Sequence, residues 1–417
     1  MPPQNAYRHQ HYPDGPPAAP FRLLTPPPQP EVDSAVFHQR LRAVGQVLRQ
    51  AGVTSIILVH GTFVGDDYFD IALLLERASP AWAAAYRRFS KRQPDWLLQD
   101  AGNYTREYAE RMAAGINVPG ERPIDVRRFI WSGGNSHLPR AMAAVRLIEE
   151  IASLPPAEAA SSTPSTNGSP GAPRVLCFSH SHGANALALM SNLLGGNRNV
   201  RRQLLELVRN VPGPNNGGLW LKRWHRACEL LDSDLPAAEL LGGRRLDLVT
   251  LGIPIRYGWD TAGYDHLLHI INQRLVPGLP PWRGRLPRTL GEVVDGRYGD
   301  WVQQLGTAGS NFPLVPLRWG RWRGERNLAA LLQQGEPSWR VLRRIRQSLR
   351  VSDEGLSLLV DYGPAKRGHR LRHIFGHGVY TQTEWMPFHL EQAAAEFYGG
   401  NVTGASSPCP RAIGAPT

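Results

Sequence analysis

The sequence predicts an α/β fold in which a mostly parallel central sheet is covered by helices on both faces. Three observations lead there. Short apolar segments of about five residues recur along the chain, Ala- and Leu-rich segments with helical patterning alternate with them, and each apolar segment runs into a turn bearing Gly, Ser or Asn. Apolar runs of that length are strands buried on both faces, and the helices between them supply right-handed crossovers from one parallel strand to the next. Ligand sites in such sheets lie at the carboxyl ends of the strands.

Taken in order, residues 1–35 are rich in Pro and lack aliphatic periodicity, which predicts a disordered arm. Residues 36–400 are read as one domain. Its first strand is Thr54–Val59 (TSIILV), ending at His60-Gly61-Thr62-Phe63. A polar and aromatic helical region leads to a second strand, Val126–Trp131 (VRRFIW), closed by Ser132-Gly133-Gly134-Asn135 and followed by a helix from about Pro139 to Ala152. Residues 153–173, dominated by Ser, Pro, Thr and Gly, read as a flexible loop. Val175–Phe178 (VLCF) is a third strand. It passes through Ser179-His180-Ser181-His182-Gly183 into the helix ANALALMSNLL. Further strands are Leu246–Leu251, His266–Ile271 and Leu356–Val360, and a last helix spans about Trp385 to Tyr398. Residues 275–350 read as a helical and loop cap insertion, and 401–417 as a flexible tail.

Bulk composition narrows the function classes. With 417 residues and 42% hydrophobic side chains the chain can bury a substantial core. A net charge of +12 suits an anionic partner, but 44 of the 47 basic residues are Arg, and Gly and Pro are abundant, so compositional bias explains the excess equally well. The three cysteines, Cys177, Cys228 and Cys409, are too widely spaced for a CxxC pair and odd in number, which excludes a disulfide framework. No basic-then-apolar segment opens the sequence and no apolar run approaches the ~20 residues of a membrane span. A cytoplasmic location is expected, with export that needs no cleaved signal left open.

The chemistry concentrates at Ser181. A serine hydroxyl attacks poorly on its own; it needs a neighbouring base and a backbone that thrusts it into a cleft. A sharp strand-to-helix turn gives that projection. Small residues two before and two after the serine let the turn pass close to its neighbours, and here Ser179 stands where glycine is more usual. The amino end of the following helix faces the site, where negative charge is favoured. An ordinary strand-to-helix turn is the plain alternative.

With the elbow in view, ILVHGTF resembles the strand-His-Gly-x motif of lipases and esterases of the α/β-hydrolase superfamily, and its position upstream of SHSHG follows that family's order. The resemblance covers roughly Val53 to Tyr398 and implies an α/β-hydrolase fold with a cap. It implies a serine hydrolase that cleaves carboxylic esters, small or lipid, through an acyl-enzyme intermediate, with no cofactor. The family order of nucleophile, acid and histidine makes Ser181 the nucleophile and His377, in Gly376-His377-Gly378-Val379-Tyr380-Thr381, the general base, with His373 and His389 as competitors. The acid is harder to assign, because NQRLVPGLPPW after the HLLHII strand holds no Asp. Of Glu292, Asp295 and Asp300, the last is preferred because it follows a glycine turn and opens the patterned run WVQQLGTAG; Asp295 comes second and Asp361 third. Backbone N–H groups of His182 and Thr62, or else Phe63, would hold the oxyanion, and His60 would shape the loop.

Ser132 or Asn135 could line the pocket. His60, His180 and His182 lack acidic or Cys companions at metal-ligand spacing, so no metal is expected. The Arg- and Trp-bearing segment 318–350 fits either a cap touching an anionic membrane or an amphipathic helical region with a solvated Arg face. Two other functions compete: an inactive hydrolase fold serving as a binding module, and a basic nucleic-acid binder, which leaves the elbow and the GHGVYT loop unexplained.

Overall fold

The computed structural model describes residues 7–62, 103–155, 172–209, 219–309, 319–333, 339–363 and 376–399. Seven strands form one sheet: β1 (Phe21–Leu24), β2 (Val53–Val59), β3 (Asp125–Phe129), β4 (Arg174–His180), β5 (Arg245–Leu251), β6 (His266–Asn272) and β7 (Leu356–Val360). Their order is β1-β7-β6-β5-β4-β2-β3, and every neighbouring pair is parallel. All carboxyl ends therefore share one edge of the sheet.

The apolar runs at the centre of the sheet are continuous because both faces are covered. Ile57, Val59, Val175, Cys177, Leu246 and Leu248 point to one face, where they meet α3 (His137–Ala152), α4 (His182–Gly195) and α5 (Arg198–Arg209). Their sequence neighbours Ile56, Leu58, Leu176, Phe178 and Val249 point to the other, against α1 (Ala35–Gln50), α2 (Arg106–Ile116) and α12 (Met386–Tyr398). This period-two division of one strand between two cores is what a doubly covered parallel sheet requires. α6 (Leu219–Leu231) and α7 (Ala237–Leu240) complete the first layer. Between β6 and β7 lie α8 (Leu290–Val294), α9 (Trp301–Ala308), α10 (Trp319–Gln333) and α11 (Trp339–Gln347), within the stretch expected as an insertion; α9 packs on α11, and α10 on α3 and α5.

The arm expected to be disordered is ordered from Tyr7 onward. Tyr7 is buried and its hydroxyl donates to Val200 O (2.8 Å), while Tyr12 donates to Ile255 O (2.7 Å). Phe21–Leu24 then pairs with β7 as the edge strand. Pro-rich chain has no periodic face to announce its order; aromatic anchors and backbone bonds to distant elements hold it instead. The tail 401–417 and most of the 153–173 loop lie outside the described residues.

Candidate active site

β4 runs through His180, α4 starts at His182, and the whole turn between them is Ser181. Its backbone lies at φ 52° and ψ −131°, a conformation that costs a non-glycine residue about 1–3 kcal/mol and persists only when the surroundings enforce it. They do so from two sides. Ser181 N–H donates to Leu251 O at the end of β5 (2.9 Å), and Ser181 O accepts from Ala184 N (3.1 Å). A Cβ on Gly183 would lie 2.4 Å from His60 O, and one on Gly61 would lie 2.9 Å from Ser181 Cβ, so the loop after β2 presses directly on the turn. Only glycine allows that approach. The side chain at 179 is accommodated because Ser179 Oγ donates to Val249 O (3.2 Å) inside the sheet. Ser181 Oγ makes no hydrogen bond among the described residues.

His377 and Asp300, 77 positions apart in the chain, meet at 2.7 Å between Nδ1 and Oδ2. Asp300 caps α9, its Oδ1 accepting from Gln303 N (2.9 Å), and its own N–H donates to Asn272 O at the end of β6 (3.0 Å). Tyr380 donates its hydroxyl to Asp300 Oδ2 (2.9 Å) and accepts from Asn272 N (2.7 Å). Burial and the Asp300 charge push the Tyr380 phenol well above its usual range, which keeps it a donor. Burial, the largest influence on Asp300, disfavours its charge; His377, Arg350 and the Gln303 N–H outweigh it and hold the carboxyl below the ordinary range. Arg350, fully buried, donates to Asp300 O, to Gln303 Oε1 (2.7 Å) and to Gln273 Oε1 (2.9 Å).

The residues flanking Ser181 adjoin His377. His180 Nε2 lies 3.0 Å from His377 O, and the two rings are 4.5 Å apart. Asn272 Nδ2 donates to Gly376 O (2.9 Å), which fixes the loop just before His377. His182 is buried, and burial first, then the proximity of Arg140, Arg256, His377 and His137, drives it far below the usual imidazole range. Asn185 Nδ2 donates to Pro254 O (3.0 Å) and to His182 Nδ1 (3.1 Å).

The backbone N–H groups of His182 and Gly183, which open α4, have no intrahelical acceptor, and the helix dipole adds positive potential there. Thr62 follows Gly61, the residue pressed against Ser181, and its Oγ1 is buried with no partner among the described residues. Phe63 lies outside them. His60 takes Trp131 N–H on Nε2 (3.2 Å), places Nδ1 2.8 Å from Gly61 O, and accepts Trp131 Nε1–H on its carbonyl (2.9 Å). It pins the end of β2 to the chain leaving β3. Asn135 is buried and accepts from Arg140 Nη2 (2.5 Å).

The competing residues sit elsewhere. Asp295 ends α8, Asp361 pairs with Arg274 Nε (3.2 Å), and Glu292 accepts from Tyr298 (2.8 Å). His389 is buried against Tyr362, its Nε2 2.7 Å from the phenol oxygen, and burial lowers it to about 3. His373 lies outside the described residues, as does Arg318. Two arginines of the 318–350 segment turn inward, against a solvated or membrane-facing reading of them: Arg350 as above, and Arg344, which lies over the Tyr12 ring (4.1 Å). Sequence reasoning passed over Tyr380, though it stands in the GHGVYT run, and Arg350, hidden among surface-type arginines. Among the described residues no group of three or more His, Cys, Asp or Glu is placed to hold a metal, and no helix is long and apolar enough to cross a membrane. Comparison with protein-family models, curated proteins and solved structures finds no match.

Proposed function

We propose that the chain is a serine hydrolase of the α/β-hydrolase type that cleaves carboxylic esters through an acyl-enzyme intermediate. One observation carries this reading: the strained Ser181 turn and the His377–Asp300 hydrogen bond lie together at the carboxyl edge of the sheet, though they come from three distant parts of the chain. The all-parallel sheet and the order Ser181, Asp300, His377 along the chain are compatible with that fold and support it.

In the mechanism, Ser181 Oγ attacks the ester carbonyl carbon while His377 Nε2 takes its proton. Nδ1–H stays donated to Asp300, which orients the ring and stabilises the imidazolium. The N–H groups of His182 and Thr62 receive the oxyanion, each such donor being worth about 2.7–4 kcal/mol of transition-state stabilisation. Collapse of the tetrahedral intermediate breaks the ester C–O bond, and His377 hands the proton to the departing alkoxide. Water then attacks the acyl-enzyme, giving one proton to His377, which returns it to Ser181 Oγ as the acid leaves. Tyr380 and Arg350 act through Asp300, fixing its position and favouring its charge.

The test is turnover of p-nitrophenyl esters of rising chain length by the wild type and Ser181→Ala. The expected result is a fall in kcat of about 10⁴-fold or more with the fold retained. A folded Ser181→Ala protein that keeps its activity would overturn the assignment.

A further inference from the structure

The end of β6 hands its hydrogen bonds over to the candidate site. On the edge of β6 that faces β5, the ladder closes with Gly252 N–H donating to Ile270 O (2.9 Å). Two residues on, the same edge carries the N–H and carbonyl of Asn272, where β5 has already ended at Leu251. Those groups find other partners: the N–H donates to the Tyr380 hydroxyl (2.7 Å), and the carbonyl accepts from Asp300 N–H (3.0 Å). The turns leading to His377 and Asp300 press together here. A Cβ on Gly376 would stand 2.5 Å from Gly299 O, and one on Gly299 would stand 2.4 Å from Asn272 O.

The side chain completes the junction. Asn272 is fully buried, its Nδ2 donates to Gly376 O (2.9 Å), and its Oδ1 has no donor among the described residues. A backbone carbonyl can only accept, so the nitrogen is the end of the amide that faces Gly376. Burying the other end unpaired costs stability, which a leucine at the close of this apolar strand would avoid. What the amide supplies and leucine cannot is a donor to the peptide that precedes His377. The next carbonyl, His377 O, lies 3.0 Å from Nε2 of His180, the residue before Ser181. Consecutive carbonyls of the His377 loop are thus held from β6 and from β4.

We propose that Asn272 is a positioning residue for the serine chemistry, holding Asp300 through its backbone and His377 through its side chain, so that one residue sets the approach of acid and base. This rests on the serine-hydrolase reading of Ser181. Asn272 touches none of the reacting atoms; it acts through the hydrogen bond in which His377 Nδ1 and Asp300 Oδ2 meet at 2.7 Å. Removing Nδ2 leaves the backbone link to Asp300 in place and releases only the Gly376 peptide, so the imidazole shifts relative to Ser181 and Asp300. A misplacement of about 1 Å costs roughly 10²-fold in rate.

The rate at which a fluorophosphonate labels Ser181 tests this in the full-length wild type, Asn272→Leu, His377→Ala and the double variant. Asn272→Leu should be labelled about 10- to 100-fold more slowly yet to the same final extent, because every folded molecule keeps its serine. With p-nitrophenyl butyrate its kcat should fall by a similar factor while KM stays within about twofold. In the His377→Ala background the same substitution should change labelling by less than about twofold, since no base is left to position. A residue that only supports the fold would slow both backgrounds alike. Asn272→Ala, which removes the donor without adding bulk, takes the place of Asn272→Leu if that variant does not fold. Wild-type rates in either folded variant, an equal loss in both backgrounds, or unfolding of both variants would overturn the proposal. An unlabelled wild type would instead remove the hydrolase reading on which it rests.

Discussion

Asp300 is a carboxylate with no exposure to solvent, a placement that would ordinarily favour its neutral form. His377, Arg350, Tyr380 and the Gln303 N–H reverse that preference. A carboxyl whose folded pKa lies below its unfolded value stabilises the fold at pH above the unfolded value, ~3.9 for Asp, and loses that contribution as pH falls through the lowered folded value. Thermal unfolding of the wild type and Asp300→Asn across pH 2–7 reads it directly. The stability advantage of the wild type should be full at neutral pH and should shrink below about pH 4; an advantage that does not change with pH would contradict an ionised Asp300. Ser181 and His377 were legible in the sequence because each stands in a short run of small residues after an apolar strand. Asp300 was less so, since its distance from β6 is set by the turn through α8, which no local pattern reveals.

Among the elements, the strands β2 and β4 to β7 could be read within one or two residues, because a strand buried on both faces writes itself as a continuous apolar run. β1 could not. It has four residues, all half-buried, in a Pro-rich stretch, and it exists because β7 offers an unpaired edge. The segment between α11 and β7 misled for a related reason: Arg350 looks like the exposed Arg343 and Arg346 of α11, and its hydrogen bonds to Gln273, Asp300 and Gln303 show it as a strut. Arg350→Ala should lower stability by about 3–5 kcal/mol, since it strands buried acceptors and removes a charge that favours ionised Asp300. Chemical denaturation measures this; a loss within about 0.5 kcal/mol would show the strut to be dispensable.

Across the whole molecule, the parallel sheet is what makes the site possible. Ser181 leaves the end of β4, Asp300 is hydrogen-bonded to the end of β6, and His377 follows β7, so three chain-distant groups converge only because every strand points the same way. The ordered arm ties the core to the insertion. Its Arg8 N–H reaches Asn192 Oδ1 on α4 (2.7 Å), His9 Nδ1 lies 3.0 Å from Leu332 O on α10, and Tyr12 O accepts from Gln347 on α11 (3.1 Å). Core and insertion are thus tied together in a long-range arrangement without a sequence signature.

The most direct measurement is reaction of the purified chain with a fluorophosphonate, which couples covalently to an activated serine, followed by mass-spectrometric location of the adduct. The account predicts one adduct, on Ser181, absent from Ser181→Ala and strongly slowed in His377→Ala and Asp300→Asn. An unlabelled wild type with its fold intact, or an adduct on any other serine, would contradict it.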